Sequence, residues 1–160
     1  MSDESIIRLS IDENMQKFCN QLLLLINGLQ LGGLGSKAQY ILSKQLQNTW
    51  ISVNLGGGLS LAFAVYAGYH ISGAHLNPAV SFAFFTMGRL SAIKLAVYCL
   101  AQICGAFVAA MLVYFTYFDS LNNYDGGERK TTGALATAGI FASYPQEYLS
   151  IGNGLFDQVC

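Results

Sequence analysis

The chain has 160 residues, of which 53% are hydrophobic and only 11% charged, with a formal net charge of −1. That balance is too apolar for an ordinary soluble domain of this size and places the chain among membrane proteins. A charge near zero argues against a nucleic-acid partner and against a polybasic tail that binds membrane surfaces.

Residues 1–14 carry Asp3, Glu4, Asp12 and Glu13 and read as a polar N-terminal tail. They lack the basic lead-in of a removable signal peptide, so the first span is expected to act as the insertion signal. That span, about 18–36, contains Leu22-Leu23-Leu24-Leu25-Ile26 but is diluted by Asn20, Gln21, Asn27, Gln30, Gly28, Gly32 and Gly33. A bilayer core needs roughly 20 mainly apolar residues, so this helix is marginal alone and needs partners. A second span, about 50–70, has Trp50 at one edge and Tyr66 and Tyr69 near the other, as aromatic interface anchors. Its Gly56-Gly57-Gly58 run suits either close helix packing or room beside a pore.

Between Gln45 and Gly88 there is no Lys, Arg, Asp or Glu, yet the sequence there starts a helix. In Ser72-Gly73-Ala74-His75-Leu76-Asn77-Pro78-Ala79-Val80-Ser81-Phe82, Asn77 is a favoured cap and Pro78 is pre-set for the first helical position. The helix, about 77–87, would be only about 16 Å long at 1.5 Å per residue, half the hydrocarbon thickness. It can enter the membrane but not cross it. Helix starts in hydrocarbon are tolerated only where protein shields them or they line a wet cavity. A third span, about 94–118, carries the small residues Gly105, Ala106, Ala109 and Ala110, and Gln102 is expected to bond between helices. Residues 119–152 form a long polar connection with a turn at Tyr144-Pro145, and a fourth apolar helix is expected from about 153, cut short at Cys160.

The cysteines Cys19, Cys99, Cys104 and Cys160 show no metal-ligand spacing, and no metal or other cofactor is expected. No Ser/His/acid, Cys/His or paired-carboxylate arrangement suggests an enzyme. The extended run Gly73, Ala74, His75 and Leu76 can instead turn successive carbonyls to a lumen, while Asn77 offers its amide to a passing oxygen. The half-helix N-terminus adds partial positive charge that disfavours cations and protons. This is chemistry for uncharged polar solutes.

The stretch from Ser72 to Phe82 resembles the first Asn-Pro-Ala loop of the aquaglyceroporin branch of the aquaporins. Thr137-Ala138-Gly139-Ile140-Phe141-Ala142-Ser143-Tyr144-Pro145 is similar to that branch's long external loop, and Asn153-Gly154-Leu155-Phe156-Asp157-Gln158 to the start of its fourth helix. The resemblance covers about residues 50–160 and is weak before that. It implies a passive channel for glycerol and water, with Asn77, Pro78 and Ala79 forming one half of the central constriction and Gly73, Ala74, His75 and Leu76 supplying carbonyls. It also implies that Gly57 lines the outer selectivity filter, where glycine in place of an aromatic ring widens the opening for glycerol-sized solutes. His75 is expected to serve through its carbonyl and a structural hydrogen bond rather than as a pH switch. Members carry a buried Glu in the first helix; here the aligned segment reads Cys19-Asn20-Gln21-Leu22, with neutral Gln21 in its place.

The fold class expected is therefore an all-α membrane protein, with residues 15–160 corresponding to the first half of an aquaporin: three transmembrane helices, one re-entrant half-helix and the start of a fourth span. Lys and Arg divide evenly between the two sides and do not orient it. The resemblance implies a cytoplasmic N-terminus, a multi-pass location in the plasma membrane and tetramers, homomeric or with full-length channels. Such a half is not expected to form a complete pore alone. The alternative expectation is a non-conducting membrane subunit that joins full-length channels through the Gly105/Ala109 face.

Overall fold

The computed structural model describes residues 3–145 and 148–159, and every regular element among them is helical. Helix α1 spans Asp3–Gly28, passes through a π-helical segment at Leu29–Leu34 and continues as α2, Gly35–Leu42. Helix α3 is Trp50–Ser72, α4 Pro78–Thr86, α5 Ala92–Thr116, α6 Phe118–Asp125 and α7 Ile151–Val159, with a 3-10 turn at Ala138–Ile140. Starts are set by side-chain caps: Thr49 accepts from the Ser52 N–H, Asn77 from the Ala79 N–H and Ser91 from the Lys94 N–H.

Among the described residues two helices, α3 with 23 residues and α5 with 25, are long and apolar enough to cross a membrane. At 1.5 Å per residue they measure about 34 Å and 37 Å, against roughly 30 Å of hydrocarbon. Their outer surfaces are apolar and exposed at Leu55, Leu59, Phe63 and Tyr66 on α3 and at Leu100, Ile103, Phe107 and Phe115 on α5. A chain folded in water buries such side chains; facing lipid, they cost nothing.

Helix α1 packs against both α3 and α5, and the π-helical segment also packs against both. That contact explains why the polar first span is acceptable. Gln21 is buried and Asn20 bonds to Ser72 of α3, so these amides point at protein rather than lipid.

The segment 1–14, expected as a tail, is helical from Asp3. Ile11, Met15 and Phe18 recur at helical spacing and, with Val97 and Leu100 of α5, line a groove along the α1/α5 seam. The first helical rod thus extends from Asp3 to Leu42, beyond both ends of the expected 18–36 span.

The connection 119–152 is also more structured than a loop. Its first residues belong to α6, which ends at Gly126 with φ of +71°. Leu121 and Ile140 are buried with Ala38 of α2 and Val113 of α5, so hydrophobic contacts invisible to local polarity clamp the connection onto the bundle end. Helix α7 begins at Ile151, two residues before the expected start.

Asp125 ties this cap together. Its carboxylate accepts from the Gly127 N–H at 2.9 Å, Arg129 Nη1 at 2.9 Å and the Thr137 hydroxyl at 3.1 Å. Arg129 also donates to Asn122 Oδ1 and the Tyr114 hydroxyl, and lies over the Tyr114 and Phe118 rings. Burial pushes the Asp125 carboxyl up, but those three donors together hold it below the ordinary aspartate value. A folded pKa below the unfolded one, about 3.9, gives stabilisation that is complete above that value and lost as pH falls through the folded pKa. Limited proteolysis of 126–137 is therefore expected to be constant from neutral pH down to about 4.5 and to accelerate only in stronger acid. Asp125→Asn is expected to bring several-fold faster cleavage already at neutral pH.

Candidate functional site

After α3 ends, Gly73 adopts φ of +76°, which L side chains rarely accept, and reverses the chain. Ala74 and Leu76 are also left-handed, at φ of +45° and +55°. Such backbone costs about 1–3 kcal/mol per residue and persists only where the surroundings over-determine it. Here they do: Ala74 and Leu76 are buried in one cluster with Ala64 of α3, flanked by Leu24 of α1 and Val65.

This packing fixes the depth of the loop. Ala64 lies 14 residues from Trp50 and 8 from Ser72, hence about 21 Å and 12 Å from the ends of α3. The chain has turned back along α3, so that Ala74 and Leu76, just before α4, lie against a point about a third of the way along it from the Ser72 end. From there α4 packs along α5 and ends at Thr86 after nine residues, about 14 Å. It does not reach across.

A buried polar network built from amides and hydroxyls holds the loop. Gln21 is fully buried; its Oε1 accepts from the Leu76 N–H at 3.1 Å, and its Nε2 donates to Ser72 Oγ at 3.1 Å and to the Ser72 carbonyl at 3.5 Å. The Tyr98 hydroxyl donates to the same carbonyl at 2.8 Å, and Ser72 Oγ donates to Asn20 Oδ1 at 2.7 Å. Gln102 Nε2 donates to Ser81 Oγ at 3.0 Å and approaches Gln21 Oε1 at 3.4 Å. Ser81 in turn meets His75 Nδ1 at 3.2 Å, while the His75 ring stacks on Phe84 and meets Tyr98 edge-on. Three elements, α1, α5 and α4, thus grip both ends of four residues. No member carries a formal charge apart from the titratable His75, which suits a low-dielectric setting.

The sequence candidates fall into two places. Gly73, Ala74, His75, Leu76, Asn77, Pro78 and Ala79 form one constellation, with the Ala74 and Leu76 side chains turned into protein and Gly73, Asn77, Pro78 and Ala79 exposed. Among the described residues, no hydrogen bond reaches the carbonyls of Gly73, Ala74 or His75. Asn77 Oδ1 caps the Ala79 N–H at 2.8 Å, leaving its amide NH₂ to face outward. Three acceptors and a donor of the loop are therefore left without partners among the described residues. Gly57 lies elsewhere, seven residues or about 10 Å along α3 from Ala64, in an open recess of about 460 Å³ with Gly33, Lys37, Asn54 and Ser143.

Sequence reading missed Asn20, Tyr98 and Ser81 as supports. The signal for Tyr98 was its i, i+4 spacing from Gln102 on α5, which puts both on one face. Replacement of Glu by Gln21 leaves the support in place, because an amide can accept from Leu76 and donate to Ser72 at once.

A family model described as "Major intrinsic protein" matches residues 9–159. The chain is 46% identical over 149 residues to an aquaporin-10 of Milnesium tardigradum, covering 92% of this chain and 35% of the relative. It is 44% identical to an aquaglyceroporin-2 of Rhizophagus irregularis, covering 79% and 40%. Among solved structures it is similar to the aquaglyceroporin from Plasmodium falciparum, at a TM-score of 0.63 and 32% identity, covering 69% of this chain and 45% of that one. The chain spans less than half the length of these relatives.

Proposed function

This chain belongs to the major intrinsic protein family, whose members are multi-pass membrane channels and not enzymes, and on that premise we propose that it contributes one half of a passive path for glycerol and water. The observation that carries this reading is the row of carbonyls at Gly73, Ala74 and His75 without partners among the described residues, in a loop packed about 12 Å inside the end of a membrane-length helix. Buried backbone acceptors are almost always paired, so carbonyls at this depth suit a path along which solutes exchange water hydrogen bonds for protein ones. Asn77, Pro78 and Ala79 form the narrow end of that path, where the half-helix N-terminus repels cations. Gly57 widens its outer end. The similarity to aquaporins supports a cytoplasmic N-terminus, a plasma-membrane location and tetramers.

Spin-label depth measurements test this directly. In a background with the cysteines replaced by Ser, a label at Ala79→Cys in lipid nanodiscs is expected near the bilayer midplane and accessible to water. A label in bulk solvent overturns the reading. Asn77→Ala is expected to cost about 1 kcal/mol of stability through loss of the cap, and to broaden the depth distribution at residue 79. The reading as a non-conducting partner of larger channels gains no support from the Gly105/Ala109 face: both residues are buried within this chain and unavailable to a second protein.

A further inference from the structure

The recess at Gly57 contains a charge that a path for neutral solutes does not require. It lies between the α2 end of the first helical rod and the first turns of α3, and Ser143, from the segment after the 3-10 turn, completes it. Its volume of about 460 Å³ falls within the range of small-molecule sites, about 300–1,000 Å³. Lys37 lines it and is only partly exposed. Among the described residues the Lys37 side chain has no ion-pair or hydrogen-bond partner, as with Lys44 and Arg89, whereas Lys17, Arg129 and Lys130 each have a carboxylate. Among the described residues, no Asp or Glu lines the recess.

The other polar groups there include donors. Asn54 Nδ2 gives one hydrogen to the Trp50 carbonyl at 2.9 Å and keeps a second. The Ser143 hydroxyl can donate or accept. Gly57 and Gly58 leave the wall open: a Cβ built on Gly58 would meet nothing within 4 Å.

We propose that this recess binds small hydroxy-monocarboxylate anions, with the carboxylate on the Lys37 ammonium and the hydroxyl end within reach of Asn54 and Ser143. The proposal deepens the channel reading by placing a solute-docking site at the wider mouth. Its position on a transport path rests on that reading, whereas the binding itself does not. A partly shielded ammonium in a concave wall raises the local anion concentration, and the effect weakens as salt rises. The recess would therefore hold weak-acid solutes at the mouth ahead of a loop that presents no carboxylate or ammonium.

The test is saturation-transfer NMR on the full chain in neutral-lipid nanodiscs, with glycolate and its uncharged analogue ethylene glycol as probes. Glycolate is expected to bind at least fivefold more tightly at low ionic strength, with the preference shrinking as salt is added. Lys37→Gln is expected to abolish that preference, and Lys37→Arg, which restores charge at the same place, to retain it. Equal binding of the two probes, or a glycolate preference that survives Lys37→Gln, overturns the proposal. The depth label at residue 79 separates the two claims: midplane depth with no glycolate preference overturns the recess alone, and bulk exposure with a Lys37-dependent preference overturns only the channel reading.

Discussion

Gln21→Leu is expected to lower the unfolding free energy by about 3 kcal/mol and to release the loop from its seat against Ala64 of α3. Leucine fills much the same volume, so the loss falls on hydrogen bonds rather than packing. It deprives the Leu76 N–H of its acceptor and removes both donations to Ser72, all three at buried positions. An unsatisfied buried polar group costs about 1–3 kcal/mol, and the left-handed backbone at Ala74 and Leu76 then loses the support that sustains it. Reversible unfolding in mixed micelles gives the energy; the spin label at residue 79 reports the loop. Gln21→Glu separates the two halves of the role, since a carboxylate still accepts from Leu76 but cannot donate to Ser72. Its effect is expected to be intermediate. Parent-like stability and label depth in Gln21→Leu would show that packing of Ala74 and Leu76 suffices without the amide.

The second large effect is expected at a glycine. A Cβ on Gly32 would overlap both the Ser60 side chain and the Gly56 carbonyl oxygen across the contact between the π-helical segment and α3. Because the second obstacle is backbone, rotating a side chain cannot relieve it; the two helices must separate. Gly32→Ala is expected to cost about 2–3 kcal/mol, at the upper end of ordinary overpacking. Adding Ser60→Ala should recover only part, because the carbonyl remains. Gly58→Ala is the control. Its Cβ meets nothing, and replacing glycine within a helix favours folding by up to about 1 kcal/mol. Equal unfolding energies for Gly32→Ala and Gly58→Ala would refute the steric account.

Both effects arise in the helical rod whose sequence was hardest to interpret. By local composition the first span is a poor membrane helix, interrupted by Asn20, Gln21, Gly28 and Gly32. The tertiary structure makes these residues its contacts: Asn20 and Gln21 reach Ser72 and Leu76, Gly28 faces Ala64, and Gly32 allows α3 to approach. Ile11, Met15 and Phe18 likewise make sense of a helical start at Asp3 only once α5 lies beside them. In the connection after α5, polar composition concealed Leu121 and Ile140, whose burial depends on α2 and α5.

What the amino-acid sequence determined by itself was local: a charge-free stretch that starts a helix, the cap at Asn77, proline at the start of a half-length helix, and two apolar spans of membrane length. These follow from hydropathy and from backbone preferences within a few residues, so they can be read without a fold. Only the tertiary structure decided where along α3 the loop packs and what supports it. Gln21 meets Leu76 across 55 positions and Gln102 across 81, and no periodicity records such pairings. They arise because amides carried into an apolar bundle must find one another or remain unpaired, and the helices that bring them together are set by close approach at glycines far away in the chain.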